Sequence, residues 1–493
     1  MTALRAAGLS IGLLTSLLAS ADTTHTATHR EAFAQPFAGL DEGQLERFFR
    51  GRSLFRQAWV VAPSRDEAVD GLGPLYNRVS CIACHPKNGR GQAPAQGQPM
   101  RSMLLRLSLP GHDAQGGPKP HPVYGDQLNE LGVPGVPGEG RAHVYWQEHA
   151  VQLGDGETVM LRKPKVELRE LAYGPMDAVL TSARVGPPVF GLGLLEAIDE
   201  STLRAMASEA KPDGVTGHVN AVWSVERQRA EAGRFGLKAN QPDLRQQIAH
   251  AMLGDLGITS TLAPEQNCTP AQQTCAHAAQ GGRFGLKANQ PDLRQQIAHA
   301  MLGDLGITST LAPEQNCTPA QQTCAHAAQG GDPELNALQL GDLHFYLAHL
   351  AAPARRQQTE PAVMQGEKLF SAIGCTACHR PALVTGKHPL YPALTQQHIA
   401  PYTDLLLHDM GPGLADGRED YLANGRQWRT AALWGLGLSE RITPSSGYLH
   451  DGRARTLEEA IVWHGGEAET ARQRYVALGA QARQAIRAFL QSL

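Results

Sequence analysis

Two short motifs, far apart in the chain, constrain what it can fold into: Cys81-Ile-Ala-Cys84-His85 and Cys375-Thr-Ala-Cys378-His379. Both are C-x-x-C-H, a spacing that brings two thiols and an imidazole onto one helical turn. There the thiols can add across the vinyl groups of a haem and the imidazole can ligate its iron. A zinc site would want further paired ligands nearby, and a redox dithiol would not need a histidine in both copies. The expected cofactors are therefore two covalently attached c-type haems, with Cys81, Cys84, Cys375 and Cys378 as attachment points and His85 and His379 as axial ligands. Composition agrees: 42% of the 493 residues are hydrophobic but only 5% aromatic, so buried macrocycles would supply the large flat apolar surfaces. The 52 glycines and 32 prolines predict long, turn-rich loops. A formal net charge of -3 leaves no electrostatic footprint for nucleic acid.

Residues 1–21 read as a secretory signal peptide. Arg5 precedes a mostly apolar stretch over 6–18, followed by the small-residue site Ala19-Ser20-Ala21. That stretch is too short to span a bilayer and no later apolar run reaches the required length, so a periplasmic, exported protein without a membrane span is expected after cleavage. In that oxidising compartment the remaining cysteines, Cys268 with Cys275 and Cys317 with Cys324, are expected to form two local disulfides.

Residues 234–282 recur without change as 283–331, a tandem duplication of a 49-residue unit. Two copies are too few for a solenoid. Each carries a helix after its proline, over 243–253 in the first copy, with Leu244, Ile248 and Met252 at helical spacing. A further helix starts at Asp332-Pro333 and stops before Pro353, and 354–361 reads as a linker. Gly51-Arg-Ser-Leu-Phe55, in a helical stretch over 48–59, has its counterpart in Gly366-Glu-Lys-Leu-Phe370, just before the second C-x-x-C-H. Arg184-Val-Gly-Pro-Pro-Val-Phe-Gly-Leu-Gly-Leu194 is echoed by Arg429-Thr-Ala-Ala-Leu-Trp-Gly-Leu-Gly-Leu438. Helices over 468–476 and 481–493 close the chain, and strand signals are sparse. The expected fold is mainly α: two cytochrome c-like haem modules with long irregular loops, at 22–233 and 361–493. The duplicated unit at 234–331 and a helix with linker at 332–360 intervene.

The chain resembles the di-haem oxidoreductases, also called thiol oxidoreductases, within the bacterial di-haem cytochrome c peroxidase superfamily. The motifs that carry the likeness are Gly71-Leu-Gly-Pro-Leu75, Gly191-Leu-Gly-Leu-Leu-Glu196, Gly233-Arg-Phe-Gly236, Tyr402-Thr-Asp-Leu-Leu-Leu-His-Asp-Met-Gly411, and His450-Asp-Gly-Arg-Ala454 leading into Thr456-Leu-Glu-Glu459. The chain departs from the family in carrying the Gly-Arg-Phe-Gly unit twice. The resemblance implies one haem for electron entry and the other for peroxide. Electrons would come from a small redox protein or a quinol-linked donor.

Opposite His379, Met410 is the candidate sixth ligand, in a Gly-bounded loop, with His408 and Tyr448 as alternatives. For the first haem, His112, His121, His143 and His149 remain open. In the peroxidases that this chain resembles, an acidic residue follows an Asp-Gly-Arg turn, which implies Glu458 as the catalytic proton carrier. Tyr448 stands where those enzymes have a glutamine, and would ligate iron or take part in oxidising a substrate. Glu459 reads as a helix cap with Thr456. Three functions fit the sequence: a peroxidase-type oxidoreductase, an electron carrier with both irons six-coordinate, and a haem-based binding or sensing protein.

Overall fold

The computed structural model describes residues 23–61, 64–65, 70–72, 75–224, 229–244, 247 and 337–493. The expected signal peptide at 1–21, the cysteines at 268, 275, 317 and 324, most of the duplicated unit and nearly all of the helix expected over 243–253 lie outside the described residues. No helix among the described residues is long and apolar enough to cross a membrane.

Two helix pairs built to one plan carry the two C-x-x-C-H turns. Helix α1 (Glu42–Arg56) starts at a reciprocal cap, in which the Asp41 carboxylate accepts from Gln44 N at 2.8 Å and the Gln44 side chain accepts from Asp41 N at 3.0 Å. It packs against α2 (Ala337–Ala348), bringing Phe48, Phe55 and Tyr346 into one buried cluster. In the second half α3 (Pro361–Ala372) packs against α4 (Ala480–Ser492), whose buried Ile486, Phe489 and Leu490 follow the helical period. The crossings are made at glycine in both: a Cβ on Gly51 would run into the backbone of Asp342, and one on Gly366 into that of Ala485. These are the glycines that open the two Gly-x-x-Leu-Phe motifs. Each motif ends on a phenylalanine beside the histidine of its own half, with ring centroids 6.3 Å apart for Phe55 and His85 and 6.1 Å for Phe370 and His379.

The Gly-Leu-Gly echo has the same physical basis. Gly191 and Gly435 both sit at φ 71 and open short helices, Leu192–Glu196 and Leu436–Ile442. Each is crowded by the other half: a Cβ on Gly191 would lie 2.5 Å from the Trp434 ring, and one on Gly435 2.6 Å from Phe190. Phe190 and Trp434 thus interlock between the modules.

The mainly α expectation is overturned. The structure is 31% helix and 23% strand, with several small antiparallel sheets. Strands β1 (Met103–His112), β2 (Arg141–Gln152), β3 (Thr158–Arg169) and β4 (Leu180–Val185) form two of them, β2 against β3 and β4 against β1. Met103, Leu105, Leu107, Ala142, Val144 and Val185 make a further core. In the β2–β3 hairpin, alternate residues are buried along β2 only at its start, Ala142 and Val144, and along β3 only beside the turn, Val159 and Leu161, while residues 147–150 are exposed and rich in types with little strand preference. Its turn at Asp155-Gly156, with Gly156 at φ 87, was a readable signal. The pairing of β1 with β4 joins segments far apart in sequence, so no local pattern announces it.

The start of the first duplicated copy is built into this framework. Lys238, 0% exposed, donates to Asp416 at 2.8 Å, to Arg418 O at 2.7 Å and to Asn424 O at 3.0 Å. Arg234 donates to the carbonyls of Ile198 and Pro242, and Gly236 O accepts from Arg429 Nε at 2.8 Å.

Candidate haem site

One cavity of about 500 Å³ is lined by residues of both C-x-x-C-H turns, Cys81, Cys84 and His85 from the first half and Cys375, Cys378 and His379 from the second. The first motif forms a one-turn helix, Cys81–Cys84, and the second a tight turn, Cys375–Ala377. Both histidines are anchored in the same way. His85 Nδ1–H donates to Pro187 O at 2.7 Å and His379 Nδ1–H to Tyr402 O at 3.0 Å, which fixes the tautomer with a bare Nε2. Burial lowers both to about 4, so each is a neutral imidazole. Gly186 makes room for the first: a Cβ there would lie 2.7 Å from Cys84 O and 3.1 Å from the His85 ring.

The cavity is also lined by a buried cation, with the charge of Asp451 nearby. Arg90, five residues after His85, lines it with Nε and Nη2 unpartnered, and burial lowers its guanidinium to about 10. Burying a cation without hydrogen bonds to all its donors is costly, and a propionate is an anion that a haem would offer it. Two thiol pairs, two imidazoles with free Nε2 and an arginine with two donors unused among the described residues form a donor set that fits haem at both motifs. Sequence reasoning missed Arg90, although its position just past the attachment motif was a signal.

The expected ligands and catalytic groups divide. Met410 lines the cavity, at the start of a short helix Gly411–Leu414. His408 also borders it, but both ring nitrogens are committed, Nε2 to Asp404 at 3.0 Å and Nδ1 to Glu467 at 2.8 Å. Burial alone would lower its pKa, but hydrogen bonds to Asp404, Cys378 and Glu467 hold it at about 11, so it is an imidazolium with no lone pair to offer. His112, His121, His143 and His149 are not among the cavity's lining residues. His121 Nδ1 accepts from Val123 N and Tyr124 N, His143 Nδ1 donates to Gly97 O, and His149 lies against Trp463.

Tyr448 lines the cavity, where burial and the charge of Glu440 push its phenol up to about 12, leaving it protonated. A locked turn aims it there. Tyr448 N donates to Ala454 O at 2.7 Å, and Arg453 clamps Asp451 with Nε–Oδ1 3.0 Å and Nη2–Oδ2 2.7 Å. His450 lies flat on Trp428, 3.6 Å between centroids. Glu458 points elsewhere. Its Oε1 accepts from Tyr475 Oη at 3.0 Å, Arg483 Nε at 3.1 Å and Arg487 Nη1 at 2.7 Å, and it is not among the lining residues. Glu459 N donates to Thr456 Oγ1 at 3.1 Å as a cap, while the Glu459 carboxylate turns back to Arg455.

The family model described as "Di-haem oxidoreductase, putative peroxidase" matches residues 18–280 and again 271–493, the two matches meeting inside the duplicated unit. No curated protein and no solved structure matches the chain. With that family match spanning nearly its whole length and a single cavity joining its two C-x-x-C-H turns, the chain belongs to the di-haem oxidoreductases of peroxidase type.

Proposed function

We propose that the protein is an exported di-haem c-type cytochrome that works as a peroxidase-like oxidoreductase. One haem would be joined to Cys81 and Cys84 with His85 as axial ligand, the other to Cys375 and Cys378 with His379. One takes electrons from a small redox protein or quinol-linked donor, and the other meets peroxide or another small substrate. The observation that carries the reading is the shared cavity, with Phe190 and Trp434 interlocked between its two halves. Bound haem supplies one-electron storage and, at an open iron, a site for peroxide.

The chain's own residues do the rest. His85 and His379 are held neutral by burial, each with Nδ1 bonded to a carbonyl and Nε2 left unbonded among the described residues. Tyr448 keeps its phenolic proton at neutral pH and can donate it to an oxygen in the cavity. Arg90 places a positive charge beside Tyr448. Glu458, with its carboxylate given to three donors outside the cavity, takes no part.

The test measures haem stoichiometry, retention of haem in acidified solvent, and peroxide consumption with a reduced small cytochrome as donor. Two acid-stable haems and turnover are expected, with Tyr448→Phe slower by roughly 10²- to 10⁴-fold. One haem per chain, or two haems that are fully low-spin with no peroxide turnover, would sink the enzymatic reading.

A further inference from the structure

We infer that Tyr391, hydrogen-bonded to His344, is a second oxidation site outside the haem cavity. It gives an electron to the haem that hydrogen peroxide has oxidised and its proton to His344, and a small phenol restores it. This rests on the peroxidase-like reading above and adds a substrate class to it.

The pair is built where the two halves meet. Tyr391 precedes the turn Pro392–Leu394, in a loop of the second half held by Gly386 N on Ala197 O at 2.6 Å and by Thr385 Oγ1 on Leu394 O at 2.7 Å. The loop lays the phenol ring on α2. There Tyr391 Oη lies 2.8 Å from His344 Nδ1. The ring is enclosed by His349 edge-on at 4.7 Å, Phe345 edge-on at 5.7 Å and His388 face-on at 5.3 Å. These other two imidazoles are committed elsewhere. His349 Nδ1–H donates to Phe345 O at 2.9 Å, and His388 Nδ1 accepts from Leu390 N and Tyr391 N, so its Nε2–H donates to Glu196 at 3.2 Å.

Loss of an electron turns a phenol into a strong acid, so a tyrosine is oxidised readily only where a base takes the proton in the same step. His344 is at hydrogen-bond distance for that transfer. An imidazole is a stronger base than a carboxylate by roughly two pKa units. Other tyrosines hold their hydroxyls against weaker bases: Tyr124 donates to Gly174 O at 2.6 Å, Tyr402 to Glu367, which is paired with Arg355, and Tyr475 to Glu458, which already holds Arg483 and Arg487. The way to the haems is short. Leu343 and Leu347, on the same helix as His344, line the haem cavity, so Tyr391 stands one helix away from it, roughly 10–12 Å. Tyr346 of that helix meets Phe55 at 5.6 Å, and Phe55 stands beside His85.

His344 and His388 also line a second cavity, of about 250 Å³, whose walls include Glu196, Glu231, Arg229 and Arg234 and so offer both acceptors and donors to a phenol hydroxyl. The reductant must supply one electron and one proton, which is the hydrogen atom that a phenol gives up at a cost close to tyrosine's own. In the first step Tyr391 becomes a neutral phenoxyl radical and His344 an imidazolium, the electron passing to the haem. In the second, the substrate phenol returns an electron, His344 returns the proton, and the phenol releases its own proton and leaves as a phenoxyl radical. Two such cycles supply the two electrons and two protons with which hydrogen peroxide becomes two waters.

The experiment mixes the full-length, haem-loaded protein with hydrogen peroxide, freeze-quenches it and reads electron paramagnetic resonance, with ring-deuterated tyrosine to identify the radical. A tyrosyl signal is expected, carrying the exchangeable-deuteron coupling of a hydrogen bond in electron–nuclear double resonance. Tyr391→Phe should remove the signal while the Soret change on adding peroxide is kept. His344→Gln, which keeps an acceptor but no base, should slow its appearance by roughly 10²- to 10⁴-fold. Adding 4-methoxyphenol should shorten the radical's lifetime in the parent. A signal that survives Tyr391→Phe, a rate unchanged in His344→Gln, a lifetime indifferent to the phenol, or no tyrosyl signal from a peroxide-reactive haem overturns the inference. If Tyr391→Phe does not accumulate, His344→Gln and the deuteron coupling of the parent decide. A haem that does not react with peroxide defeats the peroxidase-like reading itself, and the inference with it.

Discussion

Glu458 and Glu459 are adjacent, and both do structural work of different kinds. Glu459 ties Arg455 and the start of its helix, whereas Glu458 neutralises Arg483, whose side chain is 1% exposed. Because Asp155 and Glu157 also contact Arg483, Glu458→Gln should not strand it completely. A loss of about 1–3 kcal/mol is expected in denaturant unfolding, with peroxide turnover per folded chain unchanged. A fall in turnover at full stability would return Glu458 to the chemistry. The His408 cluster gives a pH signature. Its imidazole is raised from 6.5 to about 11, so its contribution to stability is complete below 6.5 and is lost as pH rises toward 11. Glu467, lowered from 4.5 to about 2, contributes above 4.5 and fades as pH falls toward 2. Stability should therefore peak between these unfolded-state values, and His408→Gln should flatten the alkaline limb of a melting-temperature profile. At this scale the two C-x-x-C-H motifs were legible in the sequence, because their pattern is local to five positions. It hid Arg90, whose place in the cavity with Nε and Nη2 unbonded among the described residues is a property that only the packed chain has.

The helices show why the repeated motifs could be read while the sheets could not. Gly-x-x-Leu-Phe and Gly-Leu-Gly recur because each glycine admits a neighbouring backbone or ring and each phenylalanine meets its histidine, demands expressed at fixed spacings. The strands β1 and β4 answer to partners elsewhere, and β2 and β3 bury only one end, so periodicity is weak. Two glycines of α1 separate intrinsic helix preference from crossing geometry. Gly43 has only the Asp41 carboxylate within reach of an added Cβ, at 3.6 Å, whereas at Gly51 the Cβ would enter the Asp342 backbone. Gly43→Ala should stabilise by about 0.5–1 kcal/mol through backbone entropy. Gly51→Ala should destabilise by about 1–3 kcal/mol despite the same gain, because the helices must part. Thermal unfolding of the two variants checks the opposite signs. Equal effects would mean that α1 and α2 do not cross closely.

At the scale of the whole molecule, the duplicated unit asks how one framework accommodates two identical segments. Residues 234–244 fill a defined place, with Lys238 fully buried on Asp416 and Phe235, Gly236 and Leu237 lining the cavity. The sequence announced the duplication, but not which copy is seated, since identical segments carry identical preferences. That symmetry makes the test clean. Removing 283–331 and removing 234–282 yield the same polypeptide, so the experiment does not depend on which copy is chosen. The shortened chain keeps one segment for the one place and links Gln247 to α2 by roughly half the former length, a change that favours the folded chain by about 0.6 kcal/mol through loop closure. Haem content, the ferric spectrum and peroxide turnover should match the parent, with a melting temperature equal or slightly higher. The same deletion in a Lys238→Met background should fail, because no second copy remains to supply the amine for Asp416. Loss of soluble, haem-loaded protein on the deletion alone would show instead that both copies are packed, and that the second unit stabilises the fold rather than being carried by it.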